Sequence, residues 1–174
     1  DKADNNEAEN INTKAVKRGD TINYQVWLDT NQFDANNKDN IQTVGITDDY
    51  DEAKLEVKQS DIKAYDGKTG ADVTDKFDIS IANGVITANL KAGFTKSLGD
   101  AENTQIIDTT KFEFGRYYKF VIPAKVTDGA YDGAEIENTA AQVVNYYNPT
   151  TKTVEKPNKP TEKRVNNVPT AIEL

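Results

Sequence analysis

Over residues 21–29 apolar and polar positions alternate, with one exception. Ile22, Tyr24, Val26 and Leu28 share one parity, and Thr21, Asn23, Gln25 and Asp29 the other. A period of two predicts a half-buried β-strand, because successive side chains point to opposite faces of a sheet. Trp27, the only tryptophan, breaks the polar parity. It either covers the sheet edge beneath a loop or is an exposed contact. Strand character returns over 41–47, with Val44 and Ile46 on one face, and over the short stretches 55–58 and 61–65. Residues 76–82 and 85–90 flank Asn83-Gly84, which predicts a hairpin whose turn needs positive φ at both central residues. Residues 116–126 place Tyr118, Phe120, Ile122, Ala124 and Val126 on one face and Pro123 on the other. The missing proline donor predicts an edge strand or a bulge there. Residues 135–147 form the last long strand.

Between these runs lie segments rich in turn residues. Residues 31–40 are a loop by their Asn and Asp density, Asp48 to Glu52 read as an acidic turn, and Asp66-Gly67, Asp128-Gly129 and Asp132-Gly133 as further turns. Residues 1–13 are acidic and Asn-rich, with room for one short strand. Residues 93–108 are irregular, with a short helix near 94–98. No helical period competes with the strands, so the class is all-β, a sandwich of antiparallel sheets. Four of the five prolines lie from Pro149 onward. The division predicted is a domain at 1–148 and a Pro/Lys-rich linker at 149–174, with a possible final strand at 164–169.

Composition narrows the chemistry. The chain has 174 residues, enough for one domain with a real core. Its formal charge is -8; the tail from Pro149 carries a net of +2, which leaves -10 on the body. That balance opposes direct contact with nucleic acid. Cys, His and Met are absent. Their absence excludes disulfides, thiolate and imidazole metal sites, and nucleophiles paired with histidine. A cysteine-free β-rich chain fits a bacterial surface. No leader-like segment and no apolar run of membrane length occurs, so no membrane contact is expected, and a secreted origin would make this an excised piece.

Two inward positions are polar. The parity of Val44 and Ile46 continues to Asp48, and that of Ile136 and Ala140 includes Asn138. Burying either without partners costs roughly 2 to 7 kcal/mol. One explanation is local: Asp48 starts a turn and Asn138 bonds backbone at a bulge. The other is an intramolecular isopeptide bond between a lysine and Asn138. An apolar pocket raises a carboxyl pKa and lowers that of an amine, so a neutral amine can attack the amide carbon. Asp48, protonated, serves as the acid that stabilises the oxyanion and moves protons as ammonia leaves.

A run of short motifs carries a resemblance: Ile11-Asn12, Val16-x-x-Gly19-Asp20-x-x-x-Tyr24, Thr47-Asp48-Asp49-Tyr50-Asp51, Glu137-Asn138-x-Ala140 and Val165-Asn166-Asn167-Val168-Pro169. Their order and spacing resemble the C-terminal adhesin domains of the antigen I/II family of Gram-positive cocci, with similar Ig-like domains in enterococcal aggregation adhesins. The resemblance implies a variant immunoglobulin-like sandwich of two antiparallel sheets with minor helical turns. It also implies stacking with neighbouring Ig-like domains of the same chain and crosslinking by Lys–Asn bonds. Carried over, Asn138 matches the acceptor and Asp48 the acid. Lys2 lies nearest the family's donor position, about one residue out of register. Lys14 or a lysine upstream is the alternative donor, unless the bond is absent.

Two further motifs have both a bland and a sharp reading. Arg18-Gly19-Asp20 is the tripeptide that integrins read, yet Gly-Asp ahead of a strand is also an ordinary turn. Asp49, Asp51 and Glu52 offer hard oxygen ligands for a possible Ca²⁺, although the spacing is not that of an EF-hand loop, and a solvated acidic turn explains them equally. No other cofactor is expected. The leading expectation is a non-enzymatic stalk domain of an extracellular, cell-wall-anchored adhesin that promotes aggregation and host attachment. Its only chemistry would be a single-turnover crosslink. The alternative is a receptor- or carbohydrate-binding module acting through Arg18 to Asp20, by way of an integrin or another host receptor, or through the acidic loop.

Overall fold

The computed structural model describes residues 10–32, 40–156 and 161–169. Twelve strands are present among them: β1 Thr21–Asp29, β2 Ile41–Tyr50, β3 Leu55–Val57, β4 Lys63–Asp66, β5 Phe77–Ala82, β6 Val85–Leu90, β7 Thr95–Ser97, β8 Gln105–Ile107, β9 Tyr117–Val126, β10 Glu135–Asn148, β11 Thr153–Glu155 and β12 Thr161–Asn167. In one sheet β9 is central, with β1 on one side and β3 and β4 in succession on the other. The second sheet runs β10-β2-β6-β5, with β11 and β12 both on β10, and β7-β8 form a separate ribbon. All strand pairs are antiparallel. The architecture is the all-β sandwich that the alternation predicts.

The inward rows supply the core. Ile22, Tyr24, Val26 and Leu28 of β1 and Tyr118, Phe120, Ile122, Ala124 and Val126 of β9 are buried, as are Val44, Ile46, Ile86, Ile136 and Val144 of the facing sheet. Asn83 and Gly84 both have positive φ, at 53° and 77°, which closes the β5–β6 hairpin with the turn its sequence demands. Phe112 adds an aromatic plug from outside the strands, stacked on Tyr118 and edge-on to Phe77.

Four expectations are corrected. First, Asp48, Asp49 and Tyr50 are not in a turn: β2 continues through Tyr50, and the turn falls at 52–54. The ladder to β10 extends as far as Tyr50 opposite Asn138, so the acidic run is carried into the sheet. Second, residues 95–98 are not helical. A 3-10 turn at Ala92–Phe94 leads into β7, which pairs with β8. Third, β9 carries Pro123 in a central strand. Val126 N–H bonds Asp20 O, so even-numbered residues of β9 face β1 and Pro123 presents its nitrogen to the other side. There the partners of β9 are Lys63 opposite Val121 and Val57 opposite Ala124, which leaves Pro123 in the gap between β3 and β4. No ladder donor is required at that position.

Fourth, the described part of the tail is not a free linker. β11 folds back on Tyr146 to Asn148, and β12 runs beside residues 135–141 of β10. The final strand is thus Thr161–Asn167, three residues earlier than its predicted start. Beyond it, residues 11–16 lie alongside: Thr13 N–H bonds Val165 O, Val16 N–H bonds Asn167 O, and Ala15 bridges Asn167 in parallel.

A buried acid–amide pair beside an inter-sheet groove

Neighbouring strands bring Asp48 and Asn138 together. In the β2–β10 register Ala140 is opposite Asp48 and Tyr50 opposite Asn138, so the two are diagonal neighbours on the inward face. Asp48 is 0% exposed and Asn138 3%. Asn138 Nδ2 donates to Asp48 Oδ2 at 2.8 Å. Desolvation by burial pushes the Asp48 carboxyl up to about 7; the hydrogen bond from Asn138 opposes that rise and the nearby Asp49 charge adds to it. Near neutral pH the carboxyl is therefore protonated in a large share of molecules.

The second oxygen of Asp48 and the amide oxygen of Asn138 have no partner. Among the described residues five buried side-chain polar atoms lack a hydrogen bond, and three of them are Asp48 Oδ1, Asn138 Oδ1 and Tyr24 Oη. Tyr24 projects inward from β1 on the opposite sheet. Each orphan costs about 1 to 3 kcal/mol. The charge of Asp48 acts on the Tyr24 phenol, so the two groups lie near one another.

A groove opens onto this point. A cavity of about 390 Å³ runs between β1 and β10, with Asn12, Tyr24, Trp27, Asn138, Gln142 and Arg164 among its walls. Among the described strands β1 pairs only with β9, and its other edge faces this groove. At the far end Gln142 Oε1 accepts from Asp29 N–H at 2.6 Å and ties the sheets together. At the near end Asn166 Nδ2 donates to Ile11 O and Lys14 O, at 2.8 and 2.9 Å, and holds residues 11–14 against β12. Asn10 and Ile11 also line the cavity.

The other sequence candidates fall in different places. Lys2 lies outside the described residues. Lys14 is exposed. Lys119, the one buried lysine among the described residues, lies opposite Trp27 and Tyr65 on the outer face of the β9 sheet, with Nζ 5.9 and 5.6 Å from their ring centroids. It is therefore not aimed at Asn138. Trp27 itself meets Tyr117 edge-on on that outer face.

Arg18, Gly19 and Asp20 form the turn before β1. Gly19 has φ +92°, and Asp20 Oδ2 accepts from Lys17 N–H at 2.9 Å. Arg18 donates to Ala130 O at 2.8 Å and to Asp132 Oδ1 at 2.9 Å. Both charged groups of the tripeptide are thus engaged within the domain. No group of three or more acidic side chains among the described residues is gathered to hold an ion. Asp49 is in strand β2, Asp51 is paired with Lys54 Nζ at 2.7 Å, and the Glu52 carboxylate packs against Gly84.

Sequence reasoning named Asp48 and Asn138 but gave no role at this site to Tyr24, Gln142 or Asn166. Tyr24 carried the detectable signal: a hydroxyl on an otherwise aliphatic inward row, as Asn138 was an amide on its row.

Residues 1–158 match the family model described as the cell surface antigen I/II C2 terminal domain. The chain belongs to that family. It is 27% identical over 163 residues to the aggregation substance of Enterococcus faecalis (strain ATCC 700802 / V583), covering 83% of this chain and 11% of that protein. The chain thus spans about a tenth of the curated relative it matches. Among solved structures it resembles BcpA, the major pilin subunit of Bacillus cereus, with a TM-score of 0.60 and 17% identity over 92% of this chain and 38% of that one. The C-terminal domain of the Streptococcus agalactiae antigen I/II polypeptide BspA gives a TM-score of 0.55 at 15% identity, covering 92% and 46% respectively. These neighbours share the fold. The family is one of surface adhesin domains, not of enzymes.

Proposed function

We propose that this antigen I/II C2-type domain is a stalk unit of an extracellular, wall-anchored adhesin, locked by one intramolecular bond between a lysine and Asn138. The observation that carries this reading is the buried Asn138–Asp48 hydrogen bond with three orphaned polar atoms around it. A hydrogen-bonded acid–amide pair explains itself in a core only if its remaining oxygens find partners. An amine entering through the groove supplies them.

The step is an amide exchange. A neutral lysine Nζ attacks Asn138 Cγ, the Cγ–Nζ bond forms and the Cγ–Nδ2 bond breaks. Asp48 contacts Nδ2, the leaving nitrogen, so its protonated carboxyl is placed to donate there. The amine gives up a proton that returns to the carboxyl, and ammonia departs. Burial favours both the neutral amine and the protonated acid. Fixed contact replaces collision, which lets an unreactive amide react once.

Lys2 is the favoured donor. It lies eight positions before Asn10 at the cavity wall, a span of at most about 28 Å when extended. Lys14 is the alternative, exposed on the stretch held by Asn166. Intact-mass measurement tests the bond: the crosslinked chain is lighter by one ammonia, about 17 Da, if acid-assisted amide exchange has run. A full-weight folded chain overturns it. Lys2→Ala and Lys14→Ala, with peptide mapping, identify the donor.

Adhesion to other cells and to host surfaces belongs in this reading to the whole adhesin, of which this domain positions the binding parts. Arg18 to Asp20 act as the turn that starts β1, because both of their charges are engaged internally.

A further inference from the structure

The Asp48–Asn138 geometry leaves one catalytic requirement unmet. Asp48 bonds Asn138 through Nδ2, on the leaving-group side, so it does not hold Oδ1. Yet Oδ1 is where negative charge collects when the amine adds to Cγ, and an acyl transfer without a donor at that oxygen forfeits its largest stabilisation. Asn138 Oδ1 is buried and unpartnered.

We propose that the Tyr24 hydroxyl is that donor: its O–H stabilises the tetrahedral oxyanion at Asn138 Oδ1 while Asp48 protonates the leaving nitrogen. Tyr24 stands on β1, across the sandwich from β10, and both residues wall the same cavity. Its Oη is buried and makes no hydrogen bond, so the donor is not committed elsewhere. Its ring is fixed by the inward row of β1, 6% exposed, with Ile122 opposite on β9. Burial first, and then the charges of Asp48 and Asp51, hold the phenol pKa well above its ordinary value, so the hydroxyl keeps its proton throughout. No proton is transferred by Tyr24. It lends a hydrogen bond as Cγ becomes tetrahedral and withdraws it when the new amide forms.

This inference rests on the crosslink reading, and the test separates the two. The 174-residue chain is isolated denatured and uncrosslinked, refolded by dilution, and sampled by intact mass for loss of ammonia. Tyr24→Phe keeps the ring and removes only the donor. It is expected to refold with native near-ultraviolet dichroism and to crosslink on the order of 10²-fold more slowly, as loss of one oxyanion donor does. Fluorotyrosine placed at position 24 is nearly isosteric and a stronger donor, and is expected to crosslink faster than the wild type. A purely structural tyrosine would not follow donor strength. Equal rates for wild type and Tyr24→Phe overturn the proposal and leave the crosslink standing. Should Tyr24→Phe fail to refold, a fluorotyrosine chain no faster than the wild type overturns it. A wild-type chain that folds and never loses ammonia overturns both.

Discussion

Asp48 Oδ2 accepts a 2.8 Å hydrogen bond from Asn138 Nδ2, while Asp48 Oδ1 and Asn138 Oδ1 are orphaned. The pair is thus half satisfied. Asp48→Ala removes the acid and leaves Asn138 with no partner in the core. The expected result is a chain of full mass, with an apparent melting temperature well below that of the wild type. Mass spectrometry and calorimetry on the same sample read both.

The pH response of an uncrosslinked chain follows from the same carboxyl. Its pKa is 3.8 when unperturbed and about 7 in the fold, mainly because burial disfavours its charge. Between those values the folded state binds the proton and the unfolded state has released it. Stability is therefore greatest at the acid end of this window and falls as pH rises through it, by on the order of 4 kcal/mol at most. Urea titrations of Asn138→Ala from pH 4 to 8 are expected to show that decline. Adding Asp48→Asn to Asn138→Ala should flatten it.

The Arg18–Asp132 pair should matter little to stability. Both side chains are 41% exposed, so solvent screens the attraction, and Asp132→Ala is expected to cost under about 1 kcal/mol. Asp20→Ala removes the side-chain bond to Lys17 N–H that shapes the turn, a loss of about 1 kcal/mol. Denaturant midpoints of the single variants and their double variant distinguish the two roles.

Gly45 is required by the close approach of β6. A Cβ there would stand 1.8 Å from Ala88 O and 2.9 Å from Ala88 C, both backbone atoms that cannot rotate away. Gly45→Ala is expected to destabilise the domain by about 3 kcal/mol or more, or to stop it folding. Yield of soluble protein and its melting temperature are the readouts.

Phe112 is 0% exposed and contacts Phe77, Phe114 and Tyr118. Phe112→Ala leaves a cavity beside those rings and should cost about 3 to 5 kcal/mol by chemical denaturation. Its location outside any strand makes that loss a test of whether the 108–116 segment is part of the core.

Period-two alternation made β1, β9 and the β5–β6 hairpin legible, since each buries one face and wets the other. It also placed Asp48 and Asn138 inward. What the pattern could not supply was pairing. Tyr50 reads as turn in an acidic run, yet it is strand because β10 lies beside it. Pro123 reads as an edge residue, yet it is central because two short strands leave a gap where its nitrogen points. β11 and β12 are mostly polar because they line the outer edge of β10, so they lack the apolar row that announces a strand. Tyr24 was legible as core and not as chemistry, because its neighbour across the sandwich is known only from the fold.

The parallel contact between residues 11–16 and β12 sets how a load passes through the domain. Asn10 and Asn167 stand at opposite ends of that contact. Tension drawn between them pulls along the strands and not across them. The Thr13–Val165 and Val16–Asn167 backbone bonds, the Asn12 side-chain bond to Val165 N–H and the two Asn166 amide bonds then share the load together. Such a clamp yields in shear, by breaking as a set, where an antiparallel pair loaded at one end would unzip bond by bond.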